Sequence, residues 1–300
     1  MGGTSILLSL LVIYLYSFLY NNIFYLEYLS FSLVFFFLGF NEDLKINFNP
    51  KIRLLFMILL LIFLIIYNEI YIYKTGITFL NDWLISSKFF LLFFVCLCFL
   101  FIVNGANLVD GFNGLFTIHT IIILANLFLI NFFSGNIYLA NLLLNIILVL
   151  LIFLNFNFPK AKIFLGDGGS YLLGAIISLS IIKTSIANPE ISPFYFCILL
   201  FYLFFEVFFS FVRKLFIEKK SPLYPDKNHL HMKLYKMLLI KNNDMLKSNY
   251  QTSIIINFIY LAAIIPVSFM KNDGMFCKYY SLVFFIIYIF SYKIITEKIK

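Results

Sequence analysis

The sequence predicts an all-α, polytopic membrane helix bundle of about ten transmembrane helices with cytoplasmic active-site loops. Three observations predict it: 63% of the 300 residues are hydrophobic, only 12% are charged, and the apolar residues fall in runs long enough to cross a bilayer. A soluble domain averages about 25% charged and about half apolar residues. Lipid, not a water-shielded core, must therefore solvate most of this surface. In lipid, only a helix satisfies the backbone hydrogen bonds of such runs.

A span needs about 17–20 mostly apolar residues. Ten such runs occur, at 4–20, 25–40, 52–67, 88–103, 115–133, 138–154, 169–184, 193–212, 252–270 and 279–296. No internal repeat is evident, and residues 1–300 read as a single integral membrane domain. The first run has no basic flank before it and no small-residue cleavage site after it, so it reads as a retained helix, not a signal peptide. Cys96, Cys98 and Cys197 lie inside apolar runs and Cys277 in a short loop; their spacing matches no metal site, and they read as packing residues.

The ten spans sort the loops onto two sides. One side holds 41–51, 104–114, 155–168, 213–251 and the C-terminus; the other holds 68–87, 134–137, 185–192 and 271–278. Seventeen of the 22 Lys and Arg residues fall on the first side, which the positive-inside rule makes cytoplasmic. The net charge of +8 thus follows membrane topology and does not point to nucleic acid. The polar residues concentrate on the same side, which suggests one site assembled from four loops.

The first loop carries Glu42-Asp43, followed by Lys45, Lys51 and Arg53. Adjacent carboxylates at a membrane surface bind a divalent cation or accept a proton; a solvated loop start with a basic flank is the plainer alternative. The second runs from Asn104 through Asn107 and Asp110 to Asn113-Gly114-Leu115. Residues three apart share a helix face, and Asp110-Gly111 and Asn113-Gly114 form turns, so a helix ends there in a polar turn that offers amides and a carboxylate. A helix cap alone explains the glycines but not three asparagines and an aspartate among apolar neighbours.

The third loop holds Lys160, Lys162 and the run Phe164-Leu165-Gly166-Asp167-Gly168-Gly169-Ser170. A glycine-rich turn opening a helix presents free N–H groups and the positive dipole end to an anion, and Asp167 beside them suits Mg²⁺. Simple N-capping is the alternative and is compatible with it. The fourth loop contains Ser221-Pro222-Leu223-Tyr224-Pro225-Asp226-Lys227-Asn228-His229-Leu230-His231, either a clamp for phosphate or sugar or a basic segment held to anionic lipid. His119 reads as a polar contact within the bundle. Glu206, about two turns inside a span, either faces the site or pairs with a base, since intramembrane carboxylates are functional candidates by default.

In this order the four segments resemble the polyprenyl-phosphate N-acetylhexosamine-1-phosphate transferases, glycosyltransferase family 4, and the undecaprenyl-phosphate GlcNAc-1-phosphate transferases among them. Glu42-Asp43 through Arg53 is similar to the family's Asp-Asp loop. Asn104–Leu115 resembles its Asn-x-x-Asn-x-x-Asp-Gly-x-Asn-Gly-Leu motif, Phe164–Ser170 its Phe-x-Gly-Asp-x-Gly-Ser motif, and Asp226–His231 its Asp-x-Asn-His-x-His loop. Glu42 replaces the usual first Asp, a third histidine common in the last loop is Met232 here, and relatives often carry Asp at the place of Glu206.

The resemblance implies Mg²⁺ on Asp167 and Asn107, and uracil stacked on Phe164 and hydrogen-bonded by Asn113. It implies phosphate on Arg53, substrate contacts from Asn104, Asp226, His229 and His231, and catalytic roles for Glu42, Asp43, Asp110 and Asp167. The implied reaction moves a HexNAc-1-phosphate, with GlcNAc or a related deoxy-amino sugar, from a UDP-sugar to undecaprenyl phosphate. UMP leaves, as a first step of cell-envelope polysaccharide synthesis of the O-antigen or lipopolysaccharide type at the bacterial inner membrane. Relatives are commonly dimers, so the resemblance admits a homodimer, although the residues themselves leave the oligomeric state open. Phospho-N-acetylmuramoyl-pentapeptide transfer is the alternative within the family, although consecutive histidines are usual there. A multi-span transporter is the alternative from another class, but it calls for polar groups at mid-membrane. Met1-Gly2-Gly3 resembles the end of a Pro-x-x-Gly-Gly loop that follows one more span in relatives, so an additional helix upstream of Met1 is expected.

Overall fold

Each predicted run becomes a helix, and local sequence explains where several begin. In the computed structural model, residues 2–45, 49–221 and 226–299 are described; Met1 and Pro222–Pro225, which the sequence reading touched, lie outside them. The helices are α1 (Gly2–Asn21), α2 (Leu26–Asp43), α3 (Pro50–Tyr67), α4 (Thr78–Ser86), α5 (Lys88–Val109), α6 (Leu115–Phe133), α7 (Ile137–Asn157), α8 (Gly166–Ala187), α9 (Pro193–Leu199), α10 (Phe201–Val212), α11 (Leu230–Asn242), α12 (Met245–Phe269) and α13 (Gly274–Ile299). No strand occurs among the described residues. Asn49 and Ser192 cap α3 and α9 with proline as the next residue. Ser87 and Asp244 accept the Phe90 and Lys247 amides in the first turns of α5 and α12, as N-cap residues do.

Among the described residues, seven helices are long and apolar enough to cross a membrane: α1, α3, α5, α6, α7, α8 and α12. A bent pair, α9 with 201–217, makes an eighth. The 18-residue α2 carries Glu27, Glu42 and Asp43 and falls outside that set, as does α13. The predicted span 193–212 is therefore a broken one, with its halves meeting at 74°. The break frees the carbonyl of Leu199, which accepts the Tyr260 hydroxyl at 2.5 Å and so keeps a partner within the apolar layer. A π-helical turn, Arg213–Ile217, ends this span. The segments read as loops at 68–87 and 213–251 contain two helices of their own, α4 and α11.

The most buried helix is α8, with 78% of its most apolar window enclosed. Small residues let its neighbours approach. A Cβ on Gly39 of α2 would run into the Asp167 carbonyl and the Gly168 nitrogen, and one on Gly174 would lie 2.9 Å from the Val103 Cα and the Ala106 Cβ of α5. Membrane helices pack through such contacts because lipid supplies no hydrophobic drive between them. Gly39→Ala is accordingly expected to cost about 1–3 kcal/mol and to push Asp43 off α8. Gly274→Ala, whose Cβ meets only Ser192 Oγ at 3.8 Å, should be silent. Thermal unfolding of the two variants in detergent distinguishes these outcomes, and equal midpoints would count against the close approach of α2 and α8.

Candidate active site

The helix ends bring the polar segments to one end of the bundle. Glu42 and Asp43 close α2, Arg53 lies in the first turn of α3, Asn107 and Asp110 end α5, and Asp167 opens α8. The sequence suggests that the α8 amides lie open to a bound anion. The structure fills two of them from within the chain: Asp43 Oδ1 accepts from the Asp167 N–H at 2.9 Å and Oδ2 from the Gly168 N–H at 3.0 Å. Asp43 thus caps α8 across 124 residues of sequence, with its charge at the positive end of the helix dipole. Gly166 makes this fit: its φ is +79°, and a side chain there would sit within 3.1 Å of the Asp43 carboxylate.

Around this cap the other residues interlock. Asn107 donates from Nδ2 to Asp167 Oδ1 at 2.7 Å and to Ser170 Oγ at 3.3 Å. Glu42 pairs with Arg53 and accepts the Tyr171 hydroxyl at 3.2 Å. Tyr171 escaped the sequence reading, although it lies one helical turn from Asp167, a spacing that puts both on one face. Arg53 and Asn104 share a small cleft of about 40 Å³ with Pro50, Leu54 and Met57; the Asn104 amide itself donates back to Leu100 O at 2.7 Å. A larger cavity, about 170 Å³, lies between α1 and α7 at the opposite end of the bundle and contains none of these residues.

Asp110 caps α5 and makes no side-chain hydrogen bond among the described residues. Burial, then the Asp167 and Asp43 charges, hold its carboxyl well above the usual range. The turn that follows is pinned from three sides: Asn113 N–H donates to Asn249 Oδ1 at 2.9 Å, Asn113 Nδ2 to Pro159 O at 2.9 Å, and Gly114 N–H to Asn157 Oδ1 at 2.7 Å. Gly114, at φ +74°, lets the Phe158 ring close over it. The Asn113 amide nitrogen is thus tied to the 158–163 loop. Phe164, by contrast, stands 70% exposed beside the cluster, with Lys160 and Lys162 exposed before it. The backbone of 164–165 accepts from Gly2 N–H at 2.7 Å and Gly3 N–H at 2.9 Å.

The fourth segment joins through its histidines. His229 and His231 are buried, and His231 packs edge-on against Phe112. Asp226 pairs with Arg213, accepts the Asn228 N–H at 3.0 Å, and is held below the usual carboxylate range by Arg213 against the cost of burial. Glu206 takes the pairing alternative, with His229 as its partner. His119 Nδ1 lies 3.2 Å from Asn257 Oδ1 deep in the bundle, in the structural role expected of it.

Burial pushes the His231 ring down to about 4, with His229 adding to the shift and Glu206 opposing it. A depressed imidazole stabilises the fold fully above its ordinary value of about 6.5, and that stability is lost as pH falls from there through 4. The loss should approach about 3 kcal/mol. Unfolding of the detergent-solubilised chain between pH 7 and 4.5 should be steeper for the parent than for His231→Gln; parallel curves would contradict the buried, neutral ring.

Among the described residues, no three His, Cys, Asp or Glu side chains cluster tightly enough to cage a metal. Mg²⁺ does not require a cage, since it uses one or two protein oxygens and fills its octahedron with water and phosphate. Asp167 Oδ2 and the Asn107 carbonyl oxygen are hard donors of that kind. The mutual repulsion of Asp43, Asp110 and Asp167 is what a bound cation relieves, so the residues fit such an ion.

Comparison with known proteins places this constellation. The pattern of glycosyl transferase family 4 matches residues 25–185, which include the first three site segments. The chain is similar to an undecaprenyl-phosphate alpha-N-acetylglucosaminyl 1-phosphate transferase of Thermotoga maritima, 32% identical over 77% of this chain and 65% of the relative. It is similar also to a phospho-N-acetylmuramoyl-pentapeptide-transferase of Dictyoglomus turgidum, 32% identical over 65% of this chain and 61% of the relative. A protein of the latter name from Clostridium perfringens is 39% identical over 41% of this chain and 40% of the relative. The chain thus spans less than two thirds of the length of these relatives. The family match extends over more than half of the chain and contains the Asp43–Asp167–Asn107 junction, and on that footing the protein is a member of glycosyl transferase family 4.

Proposed function

We propose that the protein transfers a HexNAc-1-phosphate from a UDP-sugar to undecaprenyl phosphate and releases UMP. The observation that carries this reading is the junction itself: Asp43, Asn107 and Asp167, from three separate segments, meet at one end of an apolar bundle, with exposed Phe164 and lysines beside them. Such a site has a water-facing mouth for a nucleotide and a lipid-facing wall for a prenyl chain.

In the reaction, an oxygen of the lipid phosphate attacks the β-phosphorus of the UDP-sugar. The bond from that phosphorus to the bridging oxygen breaks, and UMP departs with the electron pair. Phosphoryl transfer depends mainly on positioning and charge neutralisation. Phe164 offers a face for uracil, while Arg53, Lys160 and Lys162 meet the diphosphate. Mg²⁺ held by Asp167 and Asn107 would neutralise the charge that builds on the leaving phosphate. Of the four carboxylates, Glu42 is committed to Arg53 and Tyr171 and Asp43 to the α8 amides. That leaves Asp110, whose carboxylate makes no side-chain hydrogen bond among the described residues, to take the residual proton of the lipid phosphate.

The donor sugar is GlcNAc or a related deoxy-amino sugar. This rests on the name of the Thermotoga relative and on a histidine segment without consecutive histidines. The same reading sets the site on the cytoplasmic face of the bacterial inner membrane, where UDP-sugars are made, and gives the product lipid to envelope polysaccharide synthesis. The test is UMP release by the purified chain with undecaprenyl phosphate and either UDP-GlcNAc or UDP-MurNAc-pentapeptide, with and without EDTA. Chelator-sensitive release with UDP-GlcNAc is expected. Release only with the pentapeptide donor would move the protein to the muramoyl branch, and release with neither would refute the transferase reading for these donors.

A further inference from the structure

The histidine segment is held by one buried acid that the proposed reaction leaves without a role. Glu206 lies in the second limb of the broken span and is 1% exposed. Its Oε2 accepts from His229 Nδ1 at 3.1 Å, and its Oε1 accepts from the Leu230 N–H at 3.2 Å. His231 Nδ1 lies 3.8 Å from that same Oε1 and 3.2 Å from the Tyr202 hydroxyl. The two imidazoles stack with centroids 5.5 Å apart and planes only 5° off parallel, so both present their Nδ1 edges to one carboxylate.

The opposite edge of His231 is informative. His231 is wholly buried, and its Nε2 has no hydrogen-bond partner among the described residues. That nitrogen lies 3.9 Å from the position a Cβ on Gly111 would take, beside the turn that carries Asp110. A buried polar atom without a partner costs about 1–3 kcal/mol and is rare unless something else meets it. Polar glue between α10 and α11 accounts for the bonds Glu206 makes. It does not account for a ring nitrogen left unpaired under the turn that carries Asp110. A carboxylate bonded to Nδ1–H fixes both the tautomer and the plane of an imidazole.

We propose that Glu206 is a positioning residue of the transfer site: by bonding the His229 Nδ1 edge and the Leu230 N–H it fixes the start of α11 so that the His231 Nε2 edge is aimed at the Asp110–Gly111 turn, where the sugar diphosphate of the proposed reaction is read. The inference rests on that reaction for its catalytic consequence, but not for its structural one.

The chain has only three histidines, so ¹⁵N-histidine labelling of the full protein in detergent gives few signals, and single His→Gln variants assign them. In the parent, His229 should carry its proton on Nδ1. Glu206→Gln presents an amide N–H to that atom, moves the proton to Nε2, and should lower kcat for UMP release about 10- to 100-fold. Glu206→Asp keeps the carboxylate, should keep the tautomer, and should recover most of the loss. A His229 protonated on Nε2 in the parent, an unchanged tautomer in Glu206→Gln, or an unchanged kcat in that variant would each overturn the proposal. Should Glu206→Gln fail to insert, the parent and Glu206→Asp spectra still decide it. A parent that releases no UMP refutes the transferase reading alone, because the tautomer measurement stands without activity.

Discussion

Asp167→Asn is expected to lower UMP release by about 1,000-fold or more, a loss of about 4 kcal/mol of transition-state stabilisation, while the chain still inserts and folds. The substitution is nearly isosteric. Its Oδ1 still accepts the Asn107 amide now bonded at 2.7 Å, and its backbone N–H still reaches Asp43. What disappears is the negative charge at the junction of three segments, and with it the anchor proposed above for a cation facing the diphosphate. Packing is untouched, because the close approaches at Gly39, Gly168 and Gly169 are to the 167–168 backbone, Phe36, Asp43, Leu165 and Gly3, and none is to the Asp167 side chain. Steady-state UMP release, with size-exclusion chromatography as the folding control, reads the result. Activity within about tenfold of the parent would remove Asp167 from the chemistry.

Asp43→Ala should damage both activity and stability. Its carboxylate bridges α2 and α8 by accepting two backbone N–H groups, and a partly buried amide left unpaired costs about 1–3 kcal/mol. Two such amides, plus the lost interaction with the helix dipole, put the cost at about 2–5 kcal/mol. The freed α8 terminus then shifts Asp167, and a misplacement of about 1 Å at a reacting centre costs about 100-fold in rate. Asp43→Asn retains one acceptor and should lose about half the stability. Thermal unfolding and UMP release on the same preparations test the pair. An alanine variant as stable as the parent would show that solvent replaces Asp43 at the cap; one that is unstable yet fully active would separate the cap from the site.

The helices were legible in the sequence because spans announce themselves by length and apolarity, and all ten runs are helical. The break at Leu200 was not. It falls in Phe-Cys-Ile-Leu-Leu-Phe-Tyr, with no glycine or proline at the bend, and depends on Tyr260 taking the Leu199 carbonyl from another helix. α11 was hidden because its 13 residues mix lysines with leucines, a pattern that fits a basic loop equally well. For the site, the residue types and the end of the bundle where they gather could be read, but the pairings could not. Asp43 to Asp167 spans 124 residues and Glu42 to Tyr171 spans 129. Nothing local distinguishes a carboxylate that caps a distant helix from one that meets a substrate. Asn113 and Asp226 show the same limit, since their amide and carboxylate bind Pro159 and Arg213 within the chain.

Every functional statement depends on four segments sharing one face of the bilayer. In a background with Cys96, Cys98, Cys197 and Cys277 replaced, single cysteines at Lys45, Gly111, Lys160 and Lys227, all exposed, can be treated with a membrane-impermeant maleimide in sealed vesicles of known orientation. The account predicts that all four label from the same side. Labelling of any one of them only from the opposite side would separate the segments and leave no mouth in which Asp43, Asp110 and Asp167 could meet a substrate.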